Sequence, residues 1–165
     1  MKFSSILITV FLLCAIFFFL GFFSFSKFYN IVLPDVYGVR YQMDLVAVED
    51  TQTVFAIIAG LIPLLLFFTW QLIPLYSTDK KTSTVFIIII CMALAAYIRH
   101  KMLVSHFEEM VESLTNKNAG PSVPFSFEEL YFEYYLLGGL ISGCVISYLI
   151  FHNKVIKGRT MLNIK

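Results

Sequence analysis

Glu133 stands where a carboxylate is costly: residues 130–151 are otherwise free of charge, and this side chain lies about one helical turn inside that apolar run. An ionisable group within a span points to function. Here that function would be the binding and release of a proton in a small oligomeric transporter or channel. The competing reading has Glu133 near the interface, reaching Arg99, Lys101 or water.

A second constellation lies nearby. His106 and Glu109 are three residues apart, Glu108 and Glu112 lie beside them, and Glu128 and Glu129 open the segment expected to pack back. Imidazole and carboxylates on facing helices build metal sites in bundles, which makes His106, Glu109, Glu112 and Glu129 candidate ligands for zinc or manganese. The di-iron pattern is Glu-x-x-His used twice; here the order is reversed and occurs once, so a solvated acidic face competes with the metal site.

The remaining reactive residues exclude more than they suggest. Cys14, Cys91 and Cys144 each fall near the middle of an apolar run, where they read as small apolar residues, with copper(I) binding as the alternative. A disulfide-exchange enzyme needs paired cysteines in exposed loops, and no polar segment carries one. His100 and His152 are expected at opposite ends of the molecule, so they cannot flank one haem. Arg99 and His106 match the loose Arg-x(4–6)-His spacing of one class of ribonuclease, but they fall on the side of the membrane away from cellular RNA. No basic stripe exists to neutralise phosphates, so a nucleic-acid partner is excluded. No cofactor is required by any of these patterns.

The elements that must position these residues are membrane spans. The chain has 165 residues, 59% hydrophobic and 14% charged, about half the charge of soluble domains, so its apolar surface must face lipid. The expected fold class is an all-α integral membrane protein, a single domain of four transmembrane helices in an up-down bundle, at about 3–26, 53–76, 82–114 and 127–152. Residues 3–25 are long enough to cross ~30 Å of hydrocarbon. They continue apolar through Phe17 and Leu20, past the length of a cleaved signal peptide. Asp50 is placed to cap the second helix. Pro63 lies mid-span there and should kink it. The third apolar run ends at Arg99, His100 and Lys101, but Leu103, Phe107, Met110, Val111 and Leu114 recur at helical spacing, which predicts an amphipathic rod beyond the bilayer. Ser126 and Glu129 have the spacing of a capping box, and Phe125 and Leu130 that of a hydrophobic staple, for the fourth helix. Val39, Tyr41, Met43 and Leu45 alternate with polar residues, suggesting a short strand or extended segment in the first loop. Gly139, Gly143 and Ser147 repeat every four residues, a face for close helix packing; the favoured partner is Ala93, Ala95 and Ala96, with a second copy as the alternative.

The net charge of +1 conceals a division. Seven Lys/Arg and one Asp flank one side of the predicted spans; five Lys/Arg and ten carboxylates flank the other. The positive-inside rule puts both termini and the tail 153–165 in the cytoplasm, and segments 27–52 and 99–126 outside as an acidic cap. The leading expectation is a non-catalytic accessory or scaffold subunit of a membrane complex, docking a membrane or extracytoplasmic protein through that cap. The alternatives are the transporter or channel built on Glu133, and a membrane enzyme or metal-binding protein built on His106 and its carboxylates.

Overall fold

Phe25, Phe28, Tyr29 and Val32 recur at three- and four-residue spacing, and that stripe carries the first helix well past its apolar run: α1 spans Lys2–Val32. The computed structural model describes residues 2–35, 39–42, 45–72, 78–115, 123–126 and 130–162. Helix α2 spans Leu45–Leu72, α3 Thr78–Thr115 and α4 Phe132–Leu162. Each contains a stretch long and apolar enough to cross a membrane: Ser5–Val32, Val48–Leu72, Asp79–Ser113 and Phe132–His152. Their outward faces carry large apolar side chains, with Phe23 at 74% and Ile8 at 65% exposure. An aqueous surface would not leave so many uncovered.

Beyond the longer α1, other boundaries differ from the sequence expectation. Helix α2 begins at Leu45 instead of 53, because Val48, Thr51, Phe55 and Ile58 already place a helical stripe against the core; Asp50 is therefore exposed inside the helix and does not cap it. Helix α4 begins at Phe132, not 127. Tyr131 has a φ of 51°, a left-handed backbone that interrupts any helix entering from residue 130. The capping box therefore does not start α4: Ser126 lies in a strand, and residues 127–129 are outside the described set. At the other end α4 continues to Leu162, past the expected end at 152. Pro63 is buried within a continuous α2.

Small residues set the pairings. A methyl group on Gly21 would stand 2.6 Å from Ala59 Cβ, and one on Gly60 3.3 Å from the Cys14 carbonyl oxygen; Gln52 Nε2 donates to the Phe22 carbonyl at 2.9 Å. These contacts join α1 to α2 in antiparallel order. In α4, a methyl on Gly139 would come within 2.7 Å of Met92 Cα, and one on Gly143 within 2.7 Å of Ile88 Cα. Helices α3 and α4 are thus also antiparallel and close enough for backbone contact, the geometry that small residues permit where lipid removes the hydrophobic drive. The nearest atoms belong to Ile88, Cys91 and Met92 and not to Ala93, which is exposed, or to Ala95 and Ala96, which are half-buried.

Several serine and threonine hydroxyls in the spans bond back onto their own helices. Thr9 donates to Ser5 O, Thr69 to Leu65 O, Thr84 to Lys80 O and Ser142 to Gly139 O. This local pairing satisfies a polar atom without a partner helix. Ser147 is the exception: it is fully buried and its Oγ has no hydrogen-bond partner among the described residues. Ser147→Ala is therefore expected to leave thermal stability unchanged or raise it, by up to about 1 kcal/mol, since the substitution removes an unsatisfied buried group. A fall in melting temperature would show that the hydroxyl has a bonding role.

At the end of the molecule opposite the chain termini, Phe25, Tyr29, Leu103, Phe107, Leu130 and Phe132 form a buried cluster, flanked by Phe28, Phe55 and Met110. Leu103, Phe107 and Met110 belong to the predicted rod, so the first turns of that extension are docked on the bundle and do not project freely. Beyond the cluster, β1 (Val39–Gln42) pairs in parallel with β2 (Val123–Ser126), Val39 opposite Val123. Each strand follows a helix ending at this same end, which accounts for the parallel sense.

Candidate functional site

The aromatic cluster encloses Glu133. Its position on the first turn of α4, one residue after the buried Phe132, turns the carboxyl toward α1, where Tyr29 Oη donates to Glu133 Oε2 at 2.6 Å. Glu133 is 4% exposed and Tyr29 2%. The Tyr29 ring lies 4.5 Å from Phe25 and 5.9 Å from Phe132, and Phe28 packs edge-on against both Tyr29 and Phe132. Burying a carboxyl is costly without a hydrogen-bond partner, and Tyr29 supplies it. This partner falls in the segment the sequence reading assigned to a loop. The signal that could have found it is the stripe Phe25, Phe28, Tyr29 and Val32, which continues the helix past Lys27.

Around this pair the other polar groups close the helix ends. Arg99 Nε donates to the Leu130 carbonyl at 2.7 Å, just before α4, and its guanidinium lies over the rings of Tyr131 and Tyr135. His100 Nδ1 is 2.8 Å from the Val32 carbonyl in the last turn of α1. A carbonyl only accepts, so the proton is on Nδ1. One turn of α3 therefore fastens both α1 and α4. Of the partners the interface reading offers Glu133 (Arg99, Lys101 or water), Arg99 points to the α4 entry, while Glu133 bonds to Tyr29.

Above this fastening runs a groove of about 540 Å³, lined by Pro34, Asp35, His100, Val104, Glu108 and Glu112, with Val111. The α3 residues recur at three- and four-residue spacing and so occupy one helix face. Among the described lining residues three are carboxylates and none is Lys or Arg. Asp35, Glu108 and Glu112 are exposed, while Val104 is half-buried. The groove thus offers an apolar strip edged with negative charge, on a helix held rigidly below by Leu103 and Phe107.

The remaining predicted residues disperse. His106 and Glu109 are exposed on α3 and do not line this groove, while Glu112 does. Glu129 lies outside the described residues, and among those described no three His, Cys, Asp or Glu side chains converge as metal ligands would. Cys14, Cys91 and Cys144 are free and half-buried. His152 stacks on Tyr148 at 4.9 Å, at the end of α4 away from His100. Gly139 and Gly143 line the α3–α4 seam, Ser147 is fully buried one turn farther along α4, and Pro63 is buried in α2. Comparison with known proteins adds no further assignment: no family model matches the chain, and neither does any curated protein or solved structure.

Proposed function

We propose that the protein is a non-catalytic, multi-pass membrane subunit, its four spans arranged up and down with both termini in the cytoplasm, that docks a partner protein through the acidic groove along α3. The observation carrying this reading is the groove itself, in which Asp35, Glu108 and Glu112 border Val104 and Val111 on an anchored helix. That surface is complementary to an amphipathic segment bearing Lys or Arg, because opposite potentials steer the encounter and an apolar strip supplies the contact. The charge division between the two ends of the spans supports an extracytoplasmic position for the groove.

A small oligomeric transporter using Glu133 is the second reading, favoured by the burial of that carboxyl in a candidate span. Against it, Glu133 is packed among aromatic rings, lines neither the acidic groove nor the apolar groove between α3 and α4, and is bonded to Tyr29. A metal-dependent role for His106 with Glu109, Glu112 and Glu129 is a third; zinc or manganese raising the melting temperature in a His106-dependent manner would be its signature.

The test is copurification from native membranes at endogenous expression. The subunit reading predicts one heterologous protein in stoichiometric amount, lost in Glu108→Lys/Glu112→Lys, with the melting temperature unchanged because both residues are exposed. A closed homo-oligomer as the sole species, with Glu133→Gln eliminating pH-dependent flux, would overturn it in favour of the transporter.

A further inference from the structure

Where α1 begins, α2 ends and α3 begins, a cavity of about 410 Å³ lies between the three helices. Its wall is graded in polarity. Ser5 of α1, Gln71 of α2 and Lys81 of α3 line it near the helix ends, where all three are exposed; Val10, buried, and Phe67, half-buried, line it deeper. The antiparallel order of α1 and α2 produces the gradient, because Val10 lies five residues inward from Ser5 and Phe67 four inward from Gln71, each ~6–8 Å of rise. The three outer side chains all donate hydrogen bonds, and no described lining residue is Asp or Glu. The Lys81 ammonium is positioned without being neutralised. It lies 5.6 Å from the ring centroid of Trp70, another wall residue, whose ring packs on Phe151 of α4. A cation over an aromatic face keeps its charge, and Lys81 forms no ion pair among the described residues. Asp79 precedes it by two residues, about 200° around the helix, and does not line the cavity. The sequence segments 1–4, 73–78 and 153–165 contain no Asp or Glu.

We propose that this cavity binds one anionic phospholipid, its phosphate meeting Lys81, Gln71 and Ser5 and the start of an acyl chain meeting Val10 and Phe67. The layout matches that chemistry part by part: one cation and two neutral donors at the depth of the headgroups, an indole ring beside them, and apolar side chains below. Free phosphate shares the headgroup chemistry but would leave the inner, apolar part of the wall without a partner, which favours the lipid. The inference rests on the four-span membrane reading and is independent of the acidic groove, which lies at the other end of the spans.

Native mass spectrometry of the full-length protein, with dioleoyl phosphatidylglycerol and dioleoyl phosphatidylcholine as competing probes, tests it. One phosphatidylglycerol molecule should bind in preference to phosphatidylcholine, and Lys81→Gln should reduce that preference by roughly fivefold, the weight of one basic residue beside an anionic lipid. Lys81 is exposed, so the variant should keep its melting temperature. Lys80→Gln removes the same charge one residue away, outside the cavity wall, and should leave the preference unchanged. Preincubation with excess inorganic phosphate should leave the lipid bound. Equal binding of the two lipids would overturn the proposal, as would an equal loss in Lys80→Gln and Lys81→Gln, which would assign the preference to diffuse surface charge. Displacement of the lipid by inorganic phosphate would overturn it in favour of a free-anion site.

Discussion

Gly143→Leu is expected to cost about 3 kcal/mol or more and to leave little folded protein in detergent, the upper end of what overpacking does to a well-packed interior. The obstacle is backbone: a methyl at this position already stands 2.7 Å from Ile88 Cα, so nothing short of moving α3 makes room. Gly139→Leu should behave alike against Met92. The neighbouring Gly138→Leu is the internal control, because its Cβ meets nothing and the same side chain should shift stability by less than about 0.5 kcal/mol. Thermal unfolding followed by circular dichroism, with size-exclusion of the folded fraction, separates the three. If Gly143→Leu instead keeps its melting temperature and only loses an oligomer, the seam lies between copies.

The second large effect concerns Tyr29 and Glu133. Tyr29→Phe removes the donor and leaves a carboxyl enclosed by aromatic rings, and stranding one member of a buried pair costs about 3 kcal/mol. Glu133→Gln keeps an oxygen that accepts from Tyr29, so its cost should be nearer 1 kcal/mol. Tyr29→Phe combined with Glu133→Leu should recover most of the loss, since two apolar groups of similar shape need no hydrogen bond. The double-mutant cycle should therefore give a coupling of about 2 kcal/mol. Strictly additive changes would mean that the 2.6 Å contact contributes nothing to the fold.

These two effects also mark where the sequence was legible. The glycine spacing in α4 identified a close-packing face, but one chain cannot reveal which residues lie opposite; the answer, Ile88 and Met92, depends on how α3 is rotated. Apolar length located the four helices, since about 20 residues are needed to cross hydrocarbon and few other arrangements consume so many. Their ends were less legible. Polar residues such as Lys27, Glu49 and Asp50 look like loop, yet they sit on the exposed faces of helices whose other faces hold Tyr29 and Thr51. Tyr29 was missed for that reason, and with it the partner of Glu133. The capping box misled in the opposite sense, because the backbone at Tyr131 starts α4 later than side-chain spacing suggests. The acidic groove was legible as composition, an excess of carboxylates on one side, but the selection of Asp35, Glu108 and Glu112 over His106 and Glu109 required knowing which face of α3 meets residues 34 and 35.

A photo-crosslinking amino acid placed at Val104 inside the groove, with a second placed at Val145 on the exposed face of α4 as control, tests the docking reading in native membranes. The account predicts that position 104 captures a single heterologous protein, that position 145 does not, and that Glu108→Lys/Glu112→Lys abolishes the capture. Capture only of another copy of the same chain at position 104, or capture of the same protein after charge reversal, would contradict it.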